Sequence, residues 1–219
     1  MDGDNTMTTH AVTLNYYDQF LQTLGADEVP TKKISNMTSE NRAIFAKVIR
    51  AQLRGLANLP YGLGLDKHVY QELMQAIDIE PLTLMDMRWN TTNSQAKQMR
   101  SEVINQLIEL RMAERNQLVE LLTKHSSNAP YSAVAAIVVA TACLSPAHLW
   151  KTLGLDSRDE LKEWLTHNFP SLTAANADNM RWKRFFYLQL CQSEGDYVCL
   201  SPTCDECSTY SECYVSGDE

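Results

Sequence analysis

The sequence predicts an all-α protein, a compact multi-helix domain that ends in an irregular cysteine-rich loop. Apolar residues return every three or four positions through most of the chain, which is the spacing of helices rather than strands. The longest apolar run, residues 134–144, is far shorter than the ~20 residues that cross a bilayer. It therefore predicts a buried helix. The last 29 residues hold five of the six cysteines and show no helical periodicity.

The helices are predicted in order along the chain. Residues 10–24 carry one apolar stripe, and a second begins after a cap at Thr38 or Ser39. Asp66 is expected to cap a third helix, because a short carboxylate accepts hydrogen bonds from the first turn. Residues 80–93 contain a proline and a polar run that predict a loop, and a long helix follows it. Its expected buried face consists of Val103, Leu107, Leu110, Glu114, Leu118, Leu121 and Leu122.

The phrase Leu-Gly-Leu-Asp occurs at residues 63–66 and again at 153–156. In each copy the glycine can end one helix in a left-handed conformation. After the second copy, Ser157 and Glu160 have the spacing of a capping box. A last helix is expected over residues 179–191, and it leads directly to the cysteine-rich end.

The chain is expected to have three parts, and charge distinguishes the last of them. We expect a variable N-terminal segment at 1–35 with room for one helix, a helical domain at 36–190 and an acidic cysteine-rich tail at 191–219. The tail has seven acidic residues and no Lys or Arg, a net of −7, whereas the rest has 20 acidic and 19 basic residues, a net of −1. The excess charge therefore surrounds the thiols, and a nucleic-acid partner is disfavoured because phosphate binding requires a cationic surface.

The start of the chain predicts a cytoplasmic protein. Residues 1–5 are polar and acidic, and no apolar stretch of signal-peptide length follows them. Neither export nor a membrane partner is expected. Since disulfides are rare in the cytosol, the cysteines are better explained as metal ligands.

The cysteine motif of the tail is Cx4Cx2Cx5C, formed by Cys199, Cys204, Cys207 and Cys213. Four thiolates suit either tetrahedral zinc or an iron–sulfur cluster. Structural zinc sites usually have two CxxC knuckles, and this motif has one. The opening Cx4Cx2C matches the loop spacing of plant-type iron–sulfur proteins. The residues favour an iron–sulfur cluster, while zinc, disulfides and free thiols stay open as alternatives.

The run at 179–191, which includes Met-Arg-Trp-Lys, followed by this motif resembles the C-terminus of the NifQ family. The resemblance covers roughly residues 40 to 214, and residues 1–35 match nothing in it. Further matching stretches lie at 59–65, 142–144, 148–155 and 167–170. It implies an iron–sulfur protein that takes up molybdenum and donates it to the cofactor-scaffold and reductase proteins of nitrogenase assembly. By position, the four motif cysteines would be the cluster ligands.

Three basic residues, Arg181, Lys183 and Arg184, stand at the expected start of the last helix, where the helix dipole disfavours cations. One interpretation is that they hold an oxyanion such as molybdate. The other, which charge proximity favours, is that they pair with the tail carboxylates. Cys191 is either a fifth ligand or a packed thiol, and the second is the more common role of a lone cysteine.

Two histidines are further candidates. His148 and His167 can supply nitrogen ligands to a metal, but each adjoins large apolar residues and is more often a hydrogen-bonded boundary residue. Cys143 lies in the apolar run and is expected in the core.

Catalytic motifs are weakly represented. There is no GxSxG elbow and no phosphate-cradling glycine loop, and the chain has 8 Gly in total. The sequence therefore indicates a metal or cluster carrier more than a classical enzyme. Two alternatives stay open: a zinc-stabilised helical interaction module, and an iron–sulfur redox carrier or sensor.

Overall fold

The computed structural model describes residues 37–77 and 103–194. The chain divides into two units, Met1–Asn36 and Met37–Glu219, and the described residues all lie in the second. Over these two ranges the regular elements are helices and no strand occurs, which confirms the all-α prediction for this part. The predicted helix at 10–24 and loop at 80–93 lie outside the described residues. In the same ranges, no helix combines the length and apolar character needed to cross a membrane.

The described helices have the following bounds. They are α1 Ser39–Leu53, α2 Lys67–Ala76, α3 Met112–Lys124, α4 Ser132–Cys143, α5 Leu149–Leu153, α6 Arg158–Asn168, α7 Pro170–Ala175 and α8 Trp182–Glu194. A short 3-10 helix, Tyr61–Gly64, lies between α1 and α2. Residues 103–110 are also helical and precede α3.

Helix α4 is the centre of the fold. Eleven of its 12 residues are buried, as the apolar run predicts. It packs against α3, α5 and the 3-10 helix. Helix α8 packs on α3, and α6 packs on α1. A helix that is apolar all round is stable only when neighbours cover it, and these contacts provide part of that cover.

The predicted helix starts are confirmed. The side chains of Thr38 and Asp66 accept hydrogen bonds from main-chain N–H groups of α1 and α2, at 3.2 and 2.8 Å. Ser157 accepts from the N–H of Glu160 at 3.1 Å. The Glu160 carboxylate accepts from the N–H of Asp156 at 2.8 Å, one residue earlier than in a standard capping box.

The predicted buried face of the long helix is wrong in its first half. Val103, Leu107 and Leu110 are 56%, 45% and 83% exposed. The helical path is interrupted at Arg111, whose φ of −113° and ψ of 25° lie outside the helical region, so the apolar stripe is not continuous across it. In α3 itself the buried residues are Arg115, Leu118, Val119 and Leu122.

Arg115 is a buried cation on this face. Its Nε donates to Thr141 Oγ1 at 2.9 Å and its Nη2 donates to the carbonyl of Gly64 at 2.6 Å. Gly64 has a φ of +78°, and a Cβ there would overlap the Thr141 side chain. Glycine at this position forms the predicted left-handed turn and also lets the 3-10 helix pack closely against α4. The Gly64 carbonyl can then accept the hydrogen bond of Arg115.

A buried amide network joins α1 to α6. Asn41 Oδ1 accepts from Trp164 Nε1 at 2.8 Å and from Asn168 Nδ2 at 2.9 Å, and Asn41 Nδ2 donates to the Pro130 carbonyl at 2.9 Å. Ser132 Oγ donates to Asn168 Oδ1 at 2.9 Å. The side-chain amide and carbonyl groups of both asparagines therefore form hydrogen bonds, as burial requires.

Helix α8 starts later than predicted. Asn176 Nδ2 donates to the Met180 carbonyl at 2.9 Å, and Met180 N–H donates back to Asn176 Oδ1 at 2.8 Å. With Asn179 at a φ of +50°, these bonds hold residues 176–180 in a turn. The helix therefore begins at Trp182 and continues to Glu194, three residues past the predicted end.

We predict that Gly154→Ala lowers the free energy of unfolding by about 2–4 kcal/mol, the sum of a left-handed Cβ penalty and overpacking. Gly154 has a φ of +73°, and an added Cβ would overlap Ala51 Cβ. Gly55→Ala is the matched control, because Gly55 has the same φ with nothing within 4 Å, and its loss should be about 1–2 kcal/mol. Urea unfolding followed by circular dichroism measures both. Equal losses would contradict the close approach of α1 to this turn.

Candidate functional site

The predicted metal ligands Cys199, Cys204, Cys207 and Cys213 lie outside the described residues. Within 37–77 and 103–194, no group of three or more His, Cys, Asp or Glu could hold a metal ion. What the structure does describe is α8, the helix that leads to the motif, and the residues that hold it in place.

One side of α8 is defined by Lys183, Tyr187 and Cys191, which are spaced four residues apart and so lie on one face. The Lys183 ammonium donates to the carbonyls of Ser145 and Ala147, in the segment that follows α4. Tyr187 is buried, and Cys191 is half-buried one turn further on. This face therefore packs toward the interior and fixes the rotation of α8.

The Tyr187 hydroxyl donates to the Glu114 carboxylate of α3. Arg111 Nε donates to Glu114 Oε2 at 2.6 Å, and Arg111 Nη1 donates to the Leu144 carbonyl at 2.7 Å. The bonds to Glu114 raise the pKa of Arg111, and burial is the main cause that raises the pKa of Tyr187. Both groups therefore keep their protons, and the Arg111–Glu114–Tyr187 cluster joins α3, α8 and the end of α4.

The sequence did not predict this cluster. Glu114 was visible only as a charge on an otherwise apolar face, and Arg111 stands three residues before it. A carboxylate on a predicted buried face with an arginine at i−3 is a signal of an internal ion pair. The partner from α8 could not be found in the same way, because it is 73 residues away.

Cys143 is a core residue, as predicted. It is 3% exposed and forms no disulfide. Burial raises the pKa of its thiol to about 12, against the opposing effect of the nearby Lys183 ammonium. The thiol is therefore protonated at neutral pH and is not prepared for metal binding, which needs the thiolate.

Lys183 has a role that the sequence did not suggest. Its ammonium is turned inward to two main-chain carbonyls, and burial lowers its pKa. A cation at the C-terminal end of a helix interacts favourably with the helix dipole. Lys183 thus connects the first turn of α8 to the end of α4.

His148 is exposed and precedes α5. Its pKa is lowered, first by partial burial and then by the positive charges of Arg181, Arg158, Lys151 and Lys183, in that order. The printed contacts bring Lys183 close to His148, because its ammonium donates to the carbonyl of Ala147, the preceding residue. The effects of Lys151 and Arg158 on the pKa of His148 were not predicted from the sequence.

The positions of the remaining candidate residues follow from the bounds of α8 and α6. Arg181 precedes α8 and Arg184 is in its first turn, both half-buried. Cys191 is ten residues beyond Arg181, about 15 Å along the helix axis at 1.5 Å per residue. His167 is a hydrogen-bonded boundary residue, as expected, with Nε2 3.0 Å from Thr38 Oγ1.

We predict that Lys183→Met lowers the free energy of unfolding by about 1–3 kcal/mol, because the two carbonyls after α4 lose a charged donor. The control is Lys151→Met on the exposed side of α5, which should change it by less than about 0.5 kcal/mol. Urea unfolding measures both. If Lys183→Met leaves the free energy of unfolding unchanged, the ammonium is not needed at the end of α4.

We also predict that the His148 imidazole titrates below the ordinary histidine range and that Lys151→Gln raises its pKa, because one repelling charge is removed. The folded state binds this proton less readily than the unfolded chain does. The neutral His148 imidazole therefore contributes fully to the free energy of unfolding above the unfolded-state pKa. This contribution is lost as the pH falls through the folded-state pKa. NMR titration of the imidazole nitrogens measures the shift.

The matched control for this titration is Lys124→Gln. His125 also has a lowered pKa, from burial and from the charge of Lys124. Lys124→Gln should raise the pKa of His125 and leave that of His148 unchanged. If the pKa of His148 is unchanged in Lys151→Gln, the repulsion between Lys151 and the imidazole is contradicted.

Comparison with known proteins identifies the family. The NifQ family model matches residues 44–215. The NifQ protein of Azotobacter vinelandii is 41% identical over 175 residues, 80% of this chain and 88% of that protein. A NifQ homolog of Sinorhizobium fredii is 42% identical over 87 residues, 40% of this chain and 38% of that protein. NifQ of Rhodobacter capsulatus is 45% identical over 80 residues, 36% of this chain and 44% of that protein. No solved structure matches the chain. Since the family match covers most of its length, the chain belongs to the NifQ family.

Proposed function

We propose that this protein is an iron–sulfur molybdenum carrier, which takes up molybdenum and donates it to assembly of the nitrogenase iron–molybdenum cofactor. The observation that carries the proposal is the extent of the family match. It runs from residue 44 to residue 215 and includes the complete Cx4Cx2Cx5C motif. The match therefore supports a role for this motif in the function that the resemblance implies.

The donor set fits an iron–sulfur cluster by its chemistry. Cys199, Cys204, Cys207 and Cys213 would hold the cluster, because thiolates are the ligands that such clusters use. When bound, the cluster supplies sulfides to which molybdenum, the cargo, can bind. The spacing of the four residues favours a cluster over a single zinc ion, whose sites usually have two CxxC knuckles.

The described helices support a carrier by giving the motif a fixed attachment. Helix α8 ends at Glu194, five residues before Cys199. Its first turn is held by Lys183 and its middle by Tyr187. The helix that leads to the motif is therefore held at its start and in its middle by the helical domain.

The acidic tail gives the carrier a means of partner recognition. Its net charge of −7 would steer it toward basic surfaces on the cofactor-scaffold and reductase proteins of nitrogenase assembly. A cytoplasmic location fits the proposal, because reducing conditions keep the motif thiols available.

Anaerobic purification with metal and sulfide analysis tests the proposal. We expect a coloured protein that contains iron, acid-labile sulfide and molybdenum. Serine substitution of each motif cysteine should lower the iron content, whereas the matched control Cys143→Ala should keep it, because this thiol is buried and protonated. Colourless, zinc-loaded protein would instead support a zinc-stabilised interaction module.

A transfer experiment separates the carrier from an iron–sulfur redox carrier or sensor. Molybdenum-loaded protein is mixed with the cofactor-scaffold protein, and the molybdenum of each is measured after the two are separated. A carrier should lose molybdenum to the scaffold protein. Retention of all molybdenum, with reversible one-electron reduction, would favour the redox role.

A further inference from the structure

Two large apolar side chains are exposed in the segment that joins α1 to α2. Leu56 is 70% exposed and Tyr61, at the start of the 3-10 helix, is 68% exposed. Arg50 in the last turn of α1 and Lys67 at the first position of α2 are exposed cations on either side of this segment in the chain. These four residues are here called the Tyr61 surface.

Short contacts hold the two apolar side chains next to the two helices. The Leu56 N–H donates to the Ala51 carbonyl, in the last turn of α1, at 2.8 Å. The Tyr61 ring meets the Tyr70 ring edge to face, with 5.5 Å between the ring centres. Lys67 is three residues before Tyr70 and therefore lies one helical turn away on the same side of α2. Leu56 thus lies at the end of α1, and Tyr61 lies at the start of α2.

A left-handed turn fixes Tyr61 in this exposed position. Gly62, Leu63 and Gly64 have consecutive φ values of +81°, +59° and +78°. This conformation is unfavourable for a leucine and persists only where the surroundings enforce it. Leu63 is fully buried, and the Gly64 carbonyl accepts from Arg115 at 2.6 Å. Tyr61 is therefore an exposed aromatic side chain on a rigid turn, which is typical of residues that anchor protein interfaces.

The Tyr70 hydroxyl is a buried donor beside this anchor. Tyr70 is 5% exposed, and burial followed by the charge of Tyr61 raises its pKa, so it keeps its proton. Within residues 37–77 and 103–194 the hydroxyl forms no hydrogen bond. A buried hydroxyl normally has a partner. A carboxylate that binds at the Tyr61 surface can supply the acceptor.

The charge of this region favours an acidic ligand. Residues 41–65 contain four Lys or Arg and no Asp or Glu, in a protein whose net charge is −8. One of the four, Lys47, pairs with Asp156 and Glu160 and is directed away from the segment. The next carboxylate along the chain is that of Asp66, which caps α2. The exposed cations of the Tyr61 surface therefore complement an anionic segment.

Residues 195–219 of the same chain have the chemistry that this surface requires. They carry six Asp or Glu and no Lys or Arg. A coil of 25 residues spans about 25–30 Å, which is close to the diameter of a domain whose radius of gyration is about 15 Å. Tethering gives such a segment an effective concentration on the order of millimolar, so it outcompetes a separate acidic protein of equal affinity. Its apolar residues are Tyr197, Val198, Leu200, Tyr210, Tyr214 and Val215.

We propose that residues 195–219 dock on the Tyr61 surface of their own molecule. Their carboxylates pair with Arg50 and Lys67, and their apolar side chains cover Leu56 and Tyr61. The contact is autoinhibitory for partner recognition, because the acidic segment becomes available to a partner only when a more basic surface competes for it. The inference does not depend on iron or molybdenum, so it and the carrier function can fail separately.

Carbodiimide cross-linking of the full-length protein tests the docking, because this reagent joins an ammonium to a carboxylate only when the two groups are in contact. Lys67 is the reporter, and the exposed residues Lys124, Lys151 and Lys162 are controls elsewhere on the domain. The cross-linked monomer is isolated by size, digested and analysed by mass spectrometry. We expect links from Lys67 to Asp or Glu of residues 195–219, at least about tenfold more abundant than links from the controls. Equal linkage at the four lysines, or no linkage at Lys67, would overturn the docking.

A double variant tests the apolar part of the contact and keeps the reporter. Leu56→Ser/Tyr61→Ser should lower the linkage at Lys67 by about tenfold. The matched control is Val103→Ser/Leu110→Ser, which changes two apolar side chains that are 56% and 83% exposed and should leave the linkage unchanged. Circular dichroism checks that both variants keep the helical content of the parent. Parent-like linkage in the first variant would also overturn the docking.

A single charge reversal covers the case in which loss of Tyr61 disturbs the packing of Tyr70. Arg50→Glu should lower the linkage at Lys67 by about threefold or more, whereas Lys162→Glu should not change it. Equal linkage in the two reversals would contradict the proposed charge pairing. If the Lys67 link occurs only in a product of twice the monomer mass, the occupant is a second copy of the chain and docking within one molecule is overturned.

Discussion

The C-terminal end of α4 is the constraint on which the rest of the structure depends. The last carbonyl groups of a helix have no partner within the helix, and those that are wholly or partly buried need donors from the protein. Arg111 donates to the Leu144 carbonyl, and Lys183 donates to those of Ser145 and Ala147. Both donors are cations at the negative end of the helix dipole, so they satisfy hydrogen bonding and charge together. Arg111 lies just before α3 and Lys183 lies in α8. Their hydrogen bonds to the end of α4 therefore also join α3 and α8 to α4.

The same contacts position the candidate site. Because Lys183 is fixed on one face of α8, Tyr187 reaches Glu114 one turn later and Cys191 follows on the same side. The bonds of Lys183 also hold the first turn of α8 next to the segment that leads to His148. The interaction that completes the core thus fixes the position of the helix that precedes the cysteine motif.

Local signals in the sequence predicted the parts of the fold that depend on local physics. The apolar run gave α4, and short polar caps gave the starts of α1, α2 and α6, since each of these needs only neighbouring residues. The predicted stripe through Leu110 is wrong because the helical path is interrupted at Arg111, which the apolar spacing does not show. The burial of Arg115 was not predicted either, because its partners come from the 3-10 helix and α4, which are distant in sequence. The cysteine motif, which is the strongest functional signal, was recognised from its spacing in the sequence alone.

Charge and packing are linked at the start of α8. The sequence offers two interpretations of the three basic residues there, an oxyanion site or pairing with the acidic tail, and both rest on charge alone. The structure shows another use for one of them, because the Lys183 ammonium donates to the carbonyls of Ser145 and Ala147. Burial lowers the pKa of this ammonium, and the carbonyl dipoles at the end of α4 supply the compensating interaction. A charge that reads as a functional signal in the sequence therefore stabilises the packing of α8 on the end of α4.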